Sequence, residues 1–228
     1  MSAVAVIEIL FDVLYLLTVI LIGIVMVAKS KGQNQFQLFG VMAIVLGIGD
    51  TFHLLPRIYG LLTNSLETHE MLLGLGKLIT SVTMTIFYII LYRFWQLRYN
   101  KNNEWLNVFV YFVSIVRVFI CLFPQNEWLS SKPPVSWGIY RNIPFVILGI
   151  ITAVSFLKTT SKGKDNEYHF MPLAILLSFA FYIPVVLFSN VFPPVAMLMI
   201  PKTISYLAIV LMGYISMNNA IKNKIIDK

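Results

Sequence analysis

Hydrophobic residues run along this chain in seven long stretches separated by short polar segments, at about 4–28, 36–60, 71–95, 104–124, 138–158, 169–191 and 195–219. Each stretch is long enough to cross a hydrocarbon core of roughly 30 Å, which takes about 20 residues at the helical rise of 1.5 Å per residue. The pattern predicts an all-α fold, a seven-transmembrane-helix bundle. The connections are too short to hold a second folded domain, so residues 1–228 read as a single polytopic membrane domain. The first stretch has no basic segment before it and no small-residue cleavage site after it, and it carries Glu8 and Asp12. It therefore reads as a retained helix rather than a removable signal peptide.

Composition agrees with the pattern. Of 228 residues 58% are hydrophobic and 12% charged, about half the charge of an average soluble domain. The formal net charge of +7 is unevenly distributed, and this gives the expected topology. Lys29, Lys31, Arg93, Arg98, Lys101, Lys158, Lys162, Lys164, Lys222, Lys224 and Lys228 all fall on one side of the bundle. The alternate loops hold Glu67, Glu70 and Glu127 against Lys132. The positive-inside rule then places the N-terminus outside and the C-terminus in the cytoplasm of a cell membrane. Trp95 and Trp105 fall at the inner interface and Trp128 and Trp137 at the outer, where an amphipathic ring is stable. Attraction to anionic membrane lipids accounts for the basic loops without a nucleic-acid partner. Cys121 is the only cysteine, and no Cys/His cluster has metal-ligand spacing, so neither a metal nor a cofactor is expected.

Charges within the stretches are more informative. A charged group near the centre of a span costs at least about 2.5 kcal/mol, and such groups usually face the bundle interior. Nine ionisable residues fall there: Glu8 and Asp12, then Asp50, His53 and Arg57, then Lys77, Arg117, Arg141 and Lys202. With helical rise converted to depth, Asp12, Asp50, Lys77, Arg117 and Lys202 lie roughly 8 to 12 Å below the outer surface. The others are shallower on the same side. Spacings of three, four and seven align Glu8, Asp12 and Tyr15 on one face, and Asp50, His53 and Arg57 on another. Lys77, Ser81, Thr85, Tyr88 and Tyr92 form a polar stripe on span three; Asn107, Tyr111, Ser114 and Arg117 form one on span four. Pro56 removes a backbone donor beside His53. Pro201, just before Lys202, is either a kink or part of the first turn of a shorter helix.

Five cations face three carboxylates, leaving a formal excess of two positive charges if His53 is neutral. A dry bundle does not keep such an excess, and arginine grips phosphate or carboxylate by paired hydrogen bonds. The residues therefore suggest an outward-facing, net-cationic cavity for a small anion or lipid headgroup, serving transport or sensing. Arg57, Lys77, Arg117, Arg141 and Lys202 would form the grip, with Glu8, Asp12, Ser81 and Tyr206 around it. An alternative takes Asp50 and His53 as the acid/base pair of an intramembrane enzyme, a hydrolase or transferase acting on a lipid headgroup, with Ser81 or Thr80 as the group activated. The structural reading of the same residues is charge pairing that fixes helix registry with nothing bound. For Ser81 and Thr80 it is interhelical hydrogen bonding.

The layout, with Lys202 on the last span, resembles that of the retinal proteins, in which such a lysine forms the Schiff base. Here span three carries Lys77 where that family has a carboxylate counter-ion. The topology is also similar to that of seven-span sugar transporters built as three plus one plus three helices, although spans one to three and five to seven share no repeated motif. Pro124 and Gln125 match the dipeptide of the related PQ-loop carriers but occupy an outer loop. Seven-span hydrolases that bind zinc through several histidines have a similar layout, and this chain lacks those histidines. Each resemblance covers layout alone. The most distinctive string is GDTFHLLPR, residues 49–57.

Overall fold

A computed structural model describes residues 3–30, 32–63, 69–130, 132–161 and 165–226. Seven helices follow one another: α1 (Ala3–Lys29), α2 (Asn34–Thr63), α3 (Glu70–Tyr99), α4 (Glu104–Leu122), α5 (Val135–Thr160), α6 (Met171–Phe188) and α7 (Met199–Ile226). Among the described residues there is no strand. All seven helices are long and apolar enough to span a membrane, the architecture of a multi-pass membrane protein. Of the charges used for topology, Lys31, Glu67, Lys162, Lys164 and Lys228 lie outside the described residues.

The helix boundaries depart from the hydrophobic stretches where proline or a cap intervenes. Span four ends two residues early, at Leu122, because Phe123 precedes Pro124 and is forced into an extended conformation (φ −65°, ψ 133°). A short 3-10 turn, Pro124–Asn126, follows. Span six likewise stops at Phe188. The adjacent Pro193 and Pro194 open a second 3-10 turn, Pro193–Leu198, and delay α7 to Met199. Pro201 thus sits in the first turn of α7, where a missing N–H costs nothing. In the other direction, α3 runs on to Tyr99 and ends at Asn100, whose left-handed backbone (φ 48°) closes the helix with a bond to the Gln96 carbonyl.

Successive helices are antiparallel, so the bundle has two ends. The amino-terminal end holds the start of α1 and the α2–α3, α4–α5 and α6–α7 connections. The carboxy-terminal end holds the other three connections and the tail of α7. Chain neighbours pack together, and α7 closes the arrangement against α1 and α2. Helix α3 reaches three other helices through its aromatic side chains. Its Phe87 ring meets Tyr206 of α7, and its Tyr88 ring meets Phe145 of α5 and Phe179 of α6. These rings form a continuous aromatic layer across the middle of the bundle, with Phe87 and Tyr88 almost fully buried.

One close approach holds the α2–α3 seam. Pro56 leaves the Phe52 carbonyl without its helical donor. The backbone of α3 reaches that carbonyl at Gly76, where an added Cβ would lie 2.7 Å from the His53 Cα and closer still to the Phe52 carbonyl oxygen. Near it Thr80 Oγ1 donates to the Gly49 carbonyl at 3.0 Å. The proline of one helix and the glycine of the next thus belong to a single contact.

Candidate functional site

The predicted charges converge in the amino-terminal half, in two groups of opposite sign. The first group lies between α1 and α2. Arg57 Nε is ion-paired with Glu8, so this cation is already matched by a carboxylate. Asp12, 6% exposed, has one carboxylate oxygen with no hydrogen-bond partner. One turn deeper Tyr15 donates to Asp50 Oδ2 at 2.7 Å. The helical spacing of Glu8, Asp12 and Tyr15 turns all three toward α2.

The second group is cationic and lies among α4, α5, α6 and α7. Arg117 is 2% exposed, and its Cζ lies 3.4 Å from the centroid of the Phe145 ring. Both Nε and Nη1 of Arg117 are buried without a hydrogen-bond partner. Lys202 is 8% exposed, with Nζ 4.7 Å from the ring centre of Tyr182 and 5.4 Å from that of Tyr206. The charges of Arg117 and Lys202 act on each other, and that of Lys202 acts on Asp50 across the seam between the two groups. Nothing brings Lys202 and Asp50 within ion-pair distance. Cation–π contacts supply at most about 2 kcal/mol each when desolvated, whereas an uncompensated buried charge costs several. The rings therefore do not satisfy Arg117.

Arg141 and Lys77 lie nearer the surface than Arg117 and Lys202. Arg141 donates to Asn126 Oδ1 at 3.0 Å and lies 4.3 Å over the Trp128 ring. The Lys77 side chain is exposed, and its charge reaches His53. Tyr206 is buried beside Lys202 and joins Tyr88 and Ser178 in a group of three hydroxyls. The interior thus holds Asp12 and Asp50 opposite Arg117 and Lys202, balanced in number but with no ion pair between them among the described residues.

Asp50 and His53 do not come together. The Asp50 carboxylate is taken by Tyr15, and His53 Nδ1 is buried with no partner while the ring sits against the Leu73 backbone. Ser81 donates to its own helix at the Lys77 carbonyl, 2.8 Å away, and Thr80 to Gly49. Neither hydroxyl faces a base. Among the described residues no group of three or more His, Cys, Asp or Glu is placed to hold a metal.

Three participants escaped the sequence reading. Tyr182 carries the Lys202 ammonium over its ring. Its helix offers only one other hydroxyl, Ser178 one turn earlier, too little to stand out as a polar stripe. Asn126 is fully buried and closes the end of α4, with Nδ2 donating to the carbonyls of Ile120 (2.7 Å) and Phe123 (2.9 Å). Trp128, read as an interfacial anchor, donates from Nε1 to the Cys121 carbonyl at 2.8 Å, carries Arg141 on its ring and has its own carbonyl against Gly74.

The carboxy-terminal end is built differently. Arg98 bridges Asp165 (3.1 Å) and Glu167 (3.0 Å). Tyr99 also donates to Asp165, and Ser216 and Asn219 of α7 donate to Glu167. Tyr168 is buried under Arg98, and burial pushes its hydroxyl pKa above the usual tyrosine value. Two cavities of about 810 and 580 Å³ open here. Comparison of the chain with protein-family models, curated proteins and solved structures finds no match, so its function is argued from these residues.

Proposed function

We propose that the protein takes an anionic group, a small anion or a lipid headgroup, into the amino-terminal half of its bundle, where Arg117 and Lys202 receive it. The supporting observation is Arg117: a buried guanidinium with two nitrogens unpartnered has donors ready for phosphate or carboxylate oxygens. Arg141 and Lys77 at the rim draw an anion inward, while Asp12 and Asp50 limit how much negative charge the interior accepts. By the positive-inside rule this end of the bundle faces the exterior of the cell membrane. The polar stripe of α3 favours transport over sensing. Below the hydroxyls of Tyr88 and Ser178, Tyr92 donates to Asn107 Oδ1 at 2.8 Å, and Gln96 reaches the same oxygen at 2.6 Å. The aromatic layer at Phe87, Tyr88 and Tyr206 closes that route in this state.

The test is ligand-induced thermal stabilisation of the purified protein, with inorganic phosphate and with phosphatidylglycerol as separate probes. The reading expects at least one probe to raise the midpoint, and Arg117→Met to remove a rise given by phosphate or to lessen one given by phosphatidylglycerol while the helix content holds. An unchanged rise in Arg117→Met and in Lys77→Met would sink it. Phosphate uptake into proteoliposomes then separates transport from binding alone.

A further inference from the structure

The two cavities at the carboxy-terminal end share Lys101, Lys158 and Thr159 as a common wall. Their charge differs from a simple count of the residues around them. Asp165 and Glu167 face the larger cavity, but Arg98, Tyr99, Ser216 and Asn219 already donate to them. Lys101 and Lys158 make no ion pair among the described residues. The effective charge of the shared wall is therefore positive. The two ammonium groups come from the α3–α4 turn and the last turn of α5, and both are exposed.

The smaller cavity then changes character with depth. Its mouth carries Lys101, Asn102, Asn103 and Lys158, and the first turn of α4 opens beside it, with the Asn103 side chain accepting from the Leu106 amide at 3.1 Å. Toward the middle of the bundle it is lined by Leu106, Ile151 and Val154, apolar residues in the spanning parts of α4 and α5, together with Trp95 and Ser155. Trp105, 86% exposed, stands at the level of the mouth, where an interfacial ring belongs. A free anion uses only the mouth. A phospholipid matches both halves, and basic pockets between spans on the positively charged side are suited to anionic headgroups.

We propose that Lys101 and Lys158 hold the phosphate of an anionic phospholipid whose acyl chain lies along Leu106, Ile151 and Val154. This site is separate from that of Arg117 and Lys202, at the other end of the bundle. Native mass spectrometry of the purified protein, titrated with phosphatidylglycerol or phosphatidylcholine, measures it. Phosphatidylglycerol is expected to bind more tightly than phosphatidylcholine. Its binding should weaken about fivefold in Lys101→Gln or Lys158→Gln and about thirtyfold in the double variant. Lys101→Arg with Lys158→Arg should keep it, and Ile151→Trp, which fills the apolar wall with both lysines intact, should weaken it. Competition by millimolar inorganic phosphate equal to that by the lipid would show an anion site without a lipid component and overturn the proposal. Equal binding of both lipids, or unchanged binding in the double variant, would also overturn it. Should the double variant fail to fold, the single variants and Ile151→Trp decide the outcome.

Discussion

The two ends of the bundle treat charge in opposite ways. At the carboxy-terminal end Arg98 meets two carboxylates, and hydroxyl and amide donors take up their remaining oxygens. In the amino-terminal half Asp12, Arg117 and Lys202 are more deeply buried yet are not in ion pairs, and Asp12 and Arg117 keep buried atoms with no hydrogen-bond partner. Paired charges at a rim hold loops to helices. Unpaired charges in an interior cost more free energy than the rings beside Arg117 and Lys202 return. The contrast is therefore between charges that are paired at one end and charges left without ion pairs in the other half.

The contrast can be broken at its frame or at its charges. The largest effect is expected from Gly76→Val, which drives a branched side chain into the Phe52 carbonyl and the His53 backbone. It should cost about 3 kcal/mol, read as a fall of about 6 to 12 °C in the thermal midpoint. Arg98→Ala should cost about 2 kcal/mol by leaving Asp165 and Glu167 side by side without their cation, and Arg98→Lys should restore only part, since one ammonium cannot reproduce the two-sided guanidinium contact. Arg117→Met is expected to move the other way, stabilising the ligand-free protein by about 1.5 kcal/mol. A clear destabilisation there would mean that Arg117 belongs to a structural network and is not waiting for an anion. Tyr15→Phe removes the donor to Asp50 and should cost about 1 kcal/mol in the same thermal assay. The smallest effect belongs to Ser81→Ala, within about 0.5 kcal/mol, because that hydroxyl bonds only to its own helix.

How much of this was legible depended on what each residue needed from its surroundings. The seven helices follow from hydrophobic length alone, and their ends shifted where Pro124, Pro193 and Pro194 or the Asn100 turn acted on the backbone. The cost of an intramembrane charge singled out Asp12, Asp50, Arg117 and Lys202, which do gather in one half of the bundle. Spacing also aligned Tyr15 with Asp12. What spacing did not reveal is the partner. Asp50 and His53 share a helical face, yet Tyr15 from another helix took the carboxylate, and the tail of α3 used Arg98 as a structural bridge where the chain offered only a topology signal. Tyr182 and Asn126 were invisible because the first shares its otherwise apolar helix with Ser178 alone and the second sits in a turn whose role is visible only once α4 has ended.

From the amino-acid order alone came the seven spans, the side on which basic loops accumulate and the half of the bundle in which charges concentrate, because each follows from the transfer of single residues or short segments between water and hydrocarbon. Whether a given cation met a carboxylate, a ring or nothing was decided by the packing of helices against one another. That outcome depends on helix rotation and close approach, set jointly by contacts such as Gly76 against Phe52, and no single segment carries the information.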